Sequence, residues 1–158
     1  MAEYTTTVPT DWSPEQAFDY LAEFSNAADW DPSIEAGRSL SAEPLTVGAR
    51  FEIELSMLGR TTMMTYETVE IDRPHRVVLR SETAVLISVD TLSFDPAPGG
   101  GTAVTYDADL TLKGPLKLLD PALALGFNRV ADKARDGLRE RLAGSPPARA
   151  EDPEGARG

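Results

Sequence analysis

Asp90 is the residue whose position most suggests chemistry. It shares strand parity with Leu92 and Phe94, so the alternation of a strand points its carboxyl group to the same face as these apolar side chains. A carboxylate in an apolar cavity has a raised pKa and can act as a general acid or base. A bulge or a strand end would instead return Asp90 to solvent, where unpaired charged side chains usually lie.

Tyr106 is the second candidate for a chemical role. It alternates with Val104, Ala108 and Leu110, which places it on the apolar face of its strand. A buried tyrosine hydroxyl needs a hydrogen-bond partner, which could be Asp90, a ligand or a backbone group. Asp90 and Tyr106 are therefore our candidate catalytic residues, and the alternative for Tyr106 is an ordinary core residue.

Trp30 stands in the segment Trp30-Asp31-Pro32, directly after the first helical region. Its indole could stack on a flat ligand, or it could pack the hinge between helices and sheet. We expect a pocket of roughly a few hundred Å³, the usual range for small ligands. The other candidate ligand-binding residues for its walls are Phe51, Ile53, Leu55, Met57, Tyr66, Leu110, Phe127 and Val130.

For two strand residues, the sequence does not determine whether the side chain faces the apolar or the exposed side of the sheet. Tyr66 has the opposite parity to Met63 and Val69, so alternation does not assign it to the apolar side. Arg80 shares parity with Val78, and an exposed pair with a carboxylate is the commoner outcome for such an arginine.

Composition excludes several classes of function. The chain has 158 residues with 26 acidic and 15 basic side chains, a formal net charge of −11, one histidine and no cysteine. The negative charge argues against nucleic acid and anionic membranes, because binding to either requires Lys and Arg. Disulfides, thiolate metal sites and thiol nucleophiles are excluded, and the lone His75 is predicted in a surface turn. We expect no metal and no cofactor.

The sequence also predicts a cytoplasmic protein without a membrane span. No apolar run approaches the ~18 residues that a spanning helix needs. The N-terminus lacks the charged start and apolar stretch of a signal peptide.

The elements that would position the candidate residues follow from hydrophobic periodicity. A capping box that begins at Ser13 predicts a short helix after an initial strand over 4–8. From 34 to 112 the period is two, which predicts about six meandering antiparallel strands. Gly59 is expected as the first residue of a two-residue hairpin turn.

A long amphipathic helix is predicted after the strands, with Asp120 as its N-cap. Its apolar side chains recur every three or four residues, at Leu123, Phe127, Val130, Ala134, Leu138 and Leu142. The last segment, 144–158, has three prolines and no large apolar residue, which predicts a disordered tail after a single domain of residues 1–143. Together the elements predict an α+β fold in which a curved antiparallel sheet wraps around the C-terminal helix.

The order and spacing of several segments resemble the polyketide cyclase/dehydrase branch of the START-like (SRPBCC) superfamily over about residues 2–143. These segments are 8–21, 30–32, 70–80, 99–106 and 112–114, followed by the final helix. The resemblance implies the helix-grip fold, with two short helices after the first strand and an internal cavity between the long helix and the sheet. The superfamily spans carriers, receptors, cyclases and regulators, so this fold leaves the function open.

Three functions remain open at this stage. The protein could bind a small hydrophobic molecule, such as a lipid or a polyketide-like aromatic compound. It could be a polyketide cyclase or aromatase that uses Asp90 and Tyr106, or an interaction module whose sheet contacts another protein. The lack of an inward histidine, a metal set or a catalytic triad favours the first function. A large exposed apolar patch would favour the third.

Overall fold

Seven strands and two α-helices make up most of the part of the chain that the computed structural model describes, residues 2–57 and 59–147. The strands are β1 (Ala2–Thr10), β2 (Ile34–Ser39), β3 (Arg50–Met57), β4 (Arg60–Asp72), β5 (Arg76–Glu82), β6 (Leu86–Pro96) and β7 (Thr102–Leu112). Helix α1 spans Pro14–Ala22 and helix α2 spans Asp120–Ala143. The two 3-10 helices cover Phe24–Asp29 and Gly114–Leu119.

All the described strands form one antiparallel sheet in the order β1-β7-β6-β5-β4-β3-β2. Each strand from β2 to β6 pairs with the strand that follows it in the sequence. β1 pairs with β7, so the first strand lies beside the last. The sheet curls around the C-terminal helix. The predicted α+β class and helix-grip fold are confirmed.

The capping box predicted at the start of α1 is present. Ser13 Oγ accepts a hydrogen bond from the Gln16 backbone N–H at 3.2 Å, and Gln16 Oε1 accepts one from the Ser13 backbone N–H at 2.9 Å. Phe18 is fully buried on the inner side of this helix. Its ring meets Phe94 of β6 edge-on at a centroid distance of 5.4 Å, which fixes α1 against the sheet.

The two halves of α2 differ in how tightly they pack. The C-terminal half is tied to the end of β1, since Thr10 Oγ1 donates a hydrogen bond to the Leu142 carbonyl at 2.7 Å. This half also buries four apolar side chains, Ala131, Ala134, Leu138 and Leu142. In the segment 114–130, none of the side chains that the structure describes is buried. The N-terminal half therefore has much less packing to hold it in place.

Gly137 allows α2 to pass directly against the segment that follows the first 3-10 helix. A Cβ at this position would lie 1.9 Å from the carbonyl oxygen of Trp30, so another residue type would require a backbone shift. The contact fixes Trp30 relative to the helix.

Two local predictions are wrong by one residue. Helix α2 begins with Asp120 as its first residue and Leu119 as its N-cap, because the second 3-10 helix runs directly into it and leaves no extended residue there. In the β3–β4 hairpin Met57 pairs with Arg60, so the turn lies one residue earlier than predicted. Gly59, with a φ of 76°, ends this turn.

The predicted tail lies mostly outside the described residues, at 148–158. In its described part the Gly144 carbonyl accepts a hydrogen bond from Trp12 Nε1 at 2.8 Å, and the Ser145 carbonyl accepts one from Arg141 at 3.0 Å. The first residues after α2 thus contact the domain. None of the helices in the described ranges is long and apolar enough to cross a membrane.

Candidate functional site

An enclosed cavity lies between the inner face of the sheet and α2. Its volume is about 60 Å³. Six of the predicted ligand-binding residues line it: Ile53, Leu55, Tyr66, Leu110, Phe127 and Val130. Both predicted catalytic residues, Asp90 and Tyr106, line it as well. Eight lining residues are not predicted from the sequence: Phe24, Asp31, Ser33, Ile34, Leu86, Ala108, Ala131 and Ala134.

The cavity is smaller than the few hundred Å³ expected from the sequence. A volume of about 60 Å³ holds a few water molecules, since one water needs about 10–15 Å³ of such space. The rings of Phe24, Tyr66, Tyr106 and Phe127 fill much of the space between helix and sheet. A larger ligand fits only if part of this lining moves.

A wider cleft of about 1140 Å³ runs along α1 on the surface. Its walls carry several charged side chains, and Arg141 lies over the rings of Trp12 and Tyr20 at 5.0 and 4.7 Å from their centroids. The cleft is open to solvent, and the Arg141 guanidinium already occupies its aromatic surface. We therefore place the candidate site in the enclosed cavity.

Asp90 points into the cavity because β6 is regular on both sides of it. The pairing of β6 with β7 runs without a register shift from Leu86 to Pro96, so alternation is preserved along the strand. Asp90 is 4% exposed. The bulge that would have returned it to solvent is not present in this strand.

Tyr106 is the hydrogen-bond partner of Asp90. Its hydroxyl donates to Asp90 Oδ2 at 3.3 Å, and both side chains are buried. The ring of Trp30 meets the ring of Tyr106 edge-on at a centroid distance of 5.6 Å. Trp30 therefore packs against Tyr106 and does not itself line the cavity.

Tyr66 also faces the cavity. Its hydroxyl donates a hydrogen bond to Ser88 Oγ at 2.9 Å, and Ser88 lies two residues before Asp90 on β6. The pairing of β4 with β5 shifts register between Thr68 and Glu70, which marks an irregularity of the β-bulge type. This shift lies after Tyr66 and reverses the facing of the residues beyond it, so that Ile71 packs against the core. Before the shift, Met64, Tyr66 and Thr68 face inward, whereas Met63 and Val69 are exposed.

Asp31 is a second buried carboxylate of the cavity. It is 8% exposed, and its Oδ1 accepts hydrogen bonds from the Ser33 backbone N–H at 2.9 Å and from Ser33 Oγ at 2.6 Å. An Asp that bonds the N–H two residues later forms an Asx-turn, for which the sequence Asp-Pro-Ser is a suitable signal. In the sequence, Trp30 is the only candidate residue of this segment, and Asp31 is not predicted as a site residue.

Burial controls the protonation of these groups. Burial, and next the negative charge of Asp31, raise the pKa of Asp90 to about 7, while the hydrogen bond from Tyr106 lowers it in part. Burial also raises the pKa of Asp31, but the two hydrogen bonds from Ser33 oppose this rise. The hydrogen bonds from Ser33 favour the ionised form of Asp31, while Asp90 is partly protonated at neutral pH.

Both cavity tyrosines stay protonated at neutral pH. Burial, followed by the charge of Asp90, raises the pKa of Tyr106 well above its ordinary value, and burial raises that of Tyr66 in the same way. Their hydroxyl groups are neutral donors. A neutral donor beside a carboxyl group that titrates near pH 7 is an arrangement that can donate a proton to a bound molecule or accept one from it.

Among the other residues singled out in the sequence, Phe51, Arg80 and His75 do not line the cavity. Phe51 is fully buried in the core, and the side chain of Met57 lies outside the described part of the structure. Arg80 forms a salt bridge with Glu82 at 2.7 Å on the outer face, and His75 is exposed. Among residues 2–57 and 59–147, no cluster of three or more Asp, Glu, His or Cys side chains could hold a metal ion.

Solved structures with the same fold come from several bacteria. A START superfamily protein from Mycobacterium smegmatis has a TM-score of 0.73 at 14% identity, over 90% of this chain and 97% of that one. A protein from Thermus thermophilus has a TM-score of 0.70 at 19% identity, over 89% and 95% of the two chains. The Zhui aromatase/cyclase from Streptomyces sp. R1128 has a TM-score of 0.70 at 13% identity, over 89% and 92%. At these identities the likeness shows the fold alone.

No curated protein matches the sequence of this chain. Its residues 1–143, however, match the family described as "Polyketide cyclase / dehydrase and lipid transport". That range includes the whole sheet, both α-helices and every residue of the cavity. The resemblance recognised in the sequence is confirmed, and the chain belongs to the polyketide cyclase/dehydrase and lipid transport family.

Proposed function

We propose that the cavity binds a small, mainly apolar molecule that carries at least one polar group. The observation that carries the proposal is the buried set of Asp31, Asp90, Tyr66 and Tyr106 in a lining whose other members, apart from two serines, are apolar. A carboxylate buried without a cation destabilises a fold, so two of them in one cavity are better explained by a ligand than by packing.

Binding requires the cavity to expand, and the structure contains a segment suited to this. Phe127 and Val130 form part of the cavity wall and belong to the weakly packed half of α2. An outward movement of this half would enlarge the cavity while the buried positions from Ala131 onward hold the helix on the sheet.

Filling the cavity tests the proposal. Ala108 is 5% exposed and lines the cavity, so Ala108→Leu should weaken binding of the neutral fluorescent probe N-phenyl-1-naphthylamine at least about tenfold. Ala103→Leu is the matched control, because Ala103 lies on the other face of the same strand and is half-buried. Ala131→Leu fills the cavity from the helix and should act like Ala108→Leu.

The outcome depends on folded protein, which circular dichroism and urea unfolding of each variant establish. Equal probe affinity in the wild type, Ala108→Leu and Ala131→Leu would place the binding elsewhere and end the proposal. Loss of probe binding in Ala103→Leu, but not in Ala108→Leu or Ala131→Leu, would also end the proposal.

Acid–base catalysis on the bound molecule is the second candidate, and the contact between Tyr106 and Asp90 favours it. Cyclisation of a polyketide-like chain removes a proton from a carbon beside one carbonyl and adds a proton to the oxygen of the carbonyl that is attacked. Dehydration then removes a second carbon-bound proton and releases the hydroxyl group as water. Asp90 would exchange these protons, and Tyr106 would orient the oxygen.

A linear triketone tests this candidate. Heptane-2,4,6-trione closes by an aldol reaction and loses one water to give a methylresorcinol, which chromatography detects. We expect Asp90→Asn to abolish any acceleration by the wild type and Tyr106→Phe to reduce it. Asp95→Asn, an exposed carboxylate of the same strand, should retain it. Equal product with the wild type and Asp90→Asn contradicts the catalytic candidate and leaves the binding proposal intact.

The interaction-module alternative has less support. Only two large apolar side chains of the described strands, Met63 and Val69, are strongly exposed. The main exposed apolar residues are instead leucines of the segment 114–130, namely Leu116, Leu118, Leu119 and Leu125. The apolar patch that would make the sheet a docking surface is therefore small.

A further inference from the structure

The charges of the cavity indicate what kind of polar group its ligand carries. Asp31 and Asp90 both line the cavity, and its lining among the described residues contains no Lys, Arg or His. The helix wall contributes Phe127 and Val130 with two alanines, so α2 brings no charge. The strands contribute the titratable groups Asp90, Tyr66 and Tyr106 to the lining. Asp109, on the outer face of β7, adds a weak negative potential at Asp90.

The two carboxyl groups differ in how many hydrogen bonds they already accept. Asp31 Oδ1 accepts two from Ser33, whereas Asp90 accepts one long bond of 3.3 Å from Tyr106. A carboxylate offers about four lone-pair positions, so Asp90 keeps most of its accepting capacity for another group. Asp90 is the natural anchor for a donor with several protons.

The other polar groups of the cavity already have partners. The Tyr66 hydroxyl donates to Ser88 Oγ, and the Tyr106 hydroxyl donates to Asp90. Ser33 bonds Asp31 through both its backbone N–H and its Oγ. The free accepting positions of Asp90 are therefore the main polar capacity left for a ligand.

We propose that the cavity selects a primary amine on an apolar body, bound as its ammonium ion with Asp90 and Asp31 as counter-charges. This inference rests on the proposed binding function and specifies its ligand class. An ammonium group supplies three donors and one positive charge, which matches two buried carboxyl groups that lack a cation. A carboxylate or phosphate ligand would add negative charge to the same site and is disfavoured.

Three chain-matched probes test the inference: hexylamine, hexan-1-ol and hexanoate, each titrated calorimetrically into the whole protein at pH 8. We expect hexylamine to bind at least about tenfold more tightly than hexanol, and hexanoate to bind more weakly than both. Because ammonium binding favours the ionised form of Asp90, hexylamine should also release protons when the titration is repeated at pH 6.5, where most of the Asp90 in the free protein is protonated. Titration in buffers of different ionisation enthalpy measures this release.

Variants assign the preference to the two carboxyl groups. Asp90→Asn should remove most of the preference for hexylamine over hexanol while hexanol affinity changes less than about threefold, and Asp31→Asn should reduce the preference as well. Asp95→Asn is the control, since Asp95 is an exposed carboxylate on β6. It should keep the preference.

The possible outcomes separate this inference from the binding proposal. Equal affinity for hexylamine and hexanol, or tightest binding of hexanoate, overturns the amine inference and leaves ligand binding in place. A preference for hexylamine that persists in both Asp90→Asn and Asp31→Asn overturns it too. No heat of binding with any of the probes, together with no binding of the fluorescent probe, overturns both.

Discussion

The protonation of the cavity depends on two aspartates, of which only one has strong hydrogen bonds. Ser33 gives Asp31 two short bonds, which hold the negative charge there. Asp90 has one long bond to Tyr106 and lies in the field of Asp31, so it retains a proton near neutral pH. The asymmetry gives one cavity both a charged acceptor and a neutral carboxyl group.

At the residue scale, we predict that Asp90→Asn stabilises the protein at alkaline pH. The pKa of Asp90 in the folded state is about 7, above its ordinary value of 3.8, so the folded state binds more protons than the unfolded state between these values. The free energy of unfolding therefore falls as pH rises from about 4 to 7. Asn carries no such penalty, and the variant should gain about 1–3 kcal/mol at pH 8.

Urea unfolding at pH 5.5 and pH 8 measures this effect. The gain from Asp90→Asn should be smaller at pH 5.5, where the wild-type carboxyl group is largely neutral. Asp95→Asn, at an exposed position of β6, should change stability little at either pH. A stability gain of equal size at both pH values would show that Asp90 is not protonated in the folded state.

At the element scale, α2 combines a fixed half with a loosely packed half. The fixed half depends on small residues that let the helix approach the sheet and the segment around Trp30, above all Gly137. Trp30 in turn contacts Tyr106, so the position of the helix is linked to the cavity through one aromatic pair. The loosely packed half carries Phe127 and Val130 over the cavity.

Gly137→Ala tests the close approach of α2. In an exposed helix interior this change would stabilise by up to about 1 kcal/mol, because alanine has the higher helix propensity. Here its Cβ would meet the Trp30 carbonyl oxygen, and we expect a net loss of about 2 kcal/mol or more in the free energy of unfolding. Arg139→Ala, at an exposed position of the same helix, should stay within about 0.5 kcal/mol.

Thermal and urea unfolding of both helix variants provide the measurement. The near-ultraviolet circular dichroism of Gly137→Ala should also change, since a displaced Trp30 would alter its contact with Tyr106. A variant as stable as the wild type would mean that the helix and the Trp30 segment do not touch in solution.

At the scale of the whole molecule, the sheet order brings distant parts of the chain together. Pairing of β1 with β7 lets the end of α2 reach Thr10 and Trp12, more than a hundred residues earlier in the sequence. These contacts extend to Gly144, beyond the boundary that the apolar pattern predicts for the domain. The rest of the predicted tail, 148–158, lies outside the described residues.

Two truncations define the end of the domain. Removal of 148–158 should leave the free energy of unfolding within about 0.5 kcal/mol of the full chain. Removal of 144–158 also deletes the acceptor of the buried Trp12 Nε1 and should cost about 1–2 kcal/mol. Urea unfolding of the three proteins decides this, and equal stability of all three would put the end of the domain at Ala143 as the sequence pattern predicts.

The sequence determined the elements because their signals are local. The capping box at Ser13, the period-two strands and the three-to-four spacing of α2 each depend on residues within a few positions of one another. Alternation also indicates the inward direction of Tyr106 and Asp90, but for Asp90 the alternative of a bulge is excluded only by the uninterrupted pairing of β6 with β7. The sequence also sufficed for the family, through the order of these segments along the chain.

Only the tertiary structure decided how these elements divide the interior. Tyr66 faces inward with Met64 and Thr68, because the apolar Met63 and Val69 lie on the exposed face of β4, which strand alternation cannot reveal. Asp31 and Asp90 are far apart in the sequence but line the same cavity. They come together because the segment after α1 packs against the sheet. The cavity volume, and the absence of Trp30 and Phe51 from the cavity wall, depend on how closely α2 packs against the sheet. The reason is that side chains from all the elements together must fill the space that these elements enclose.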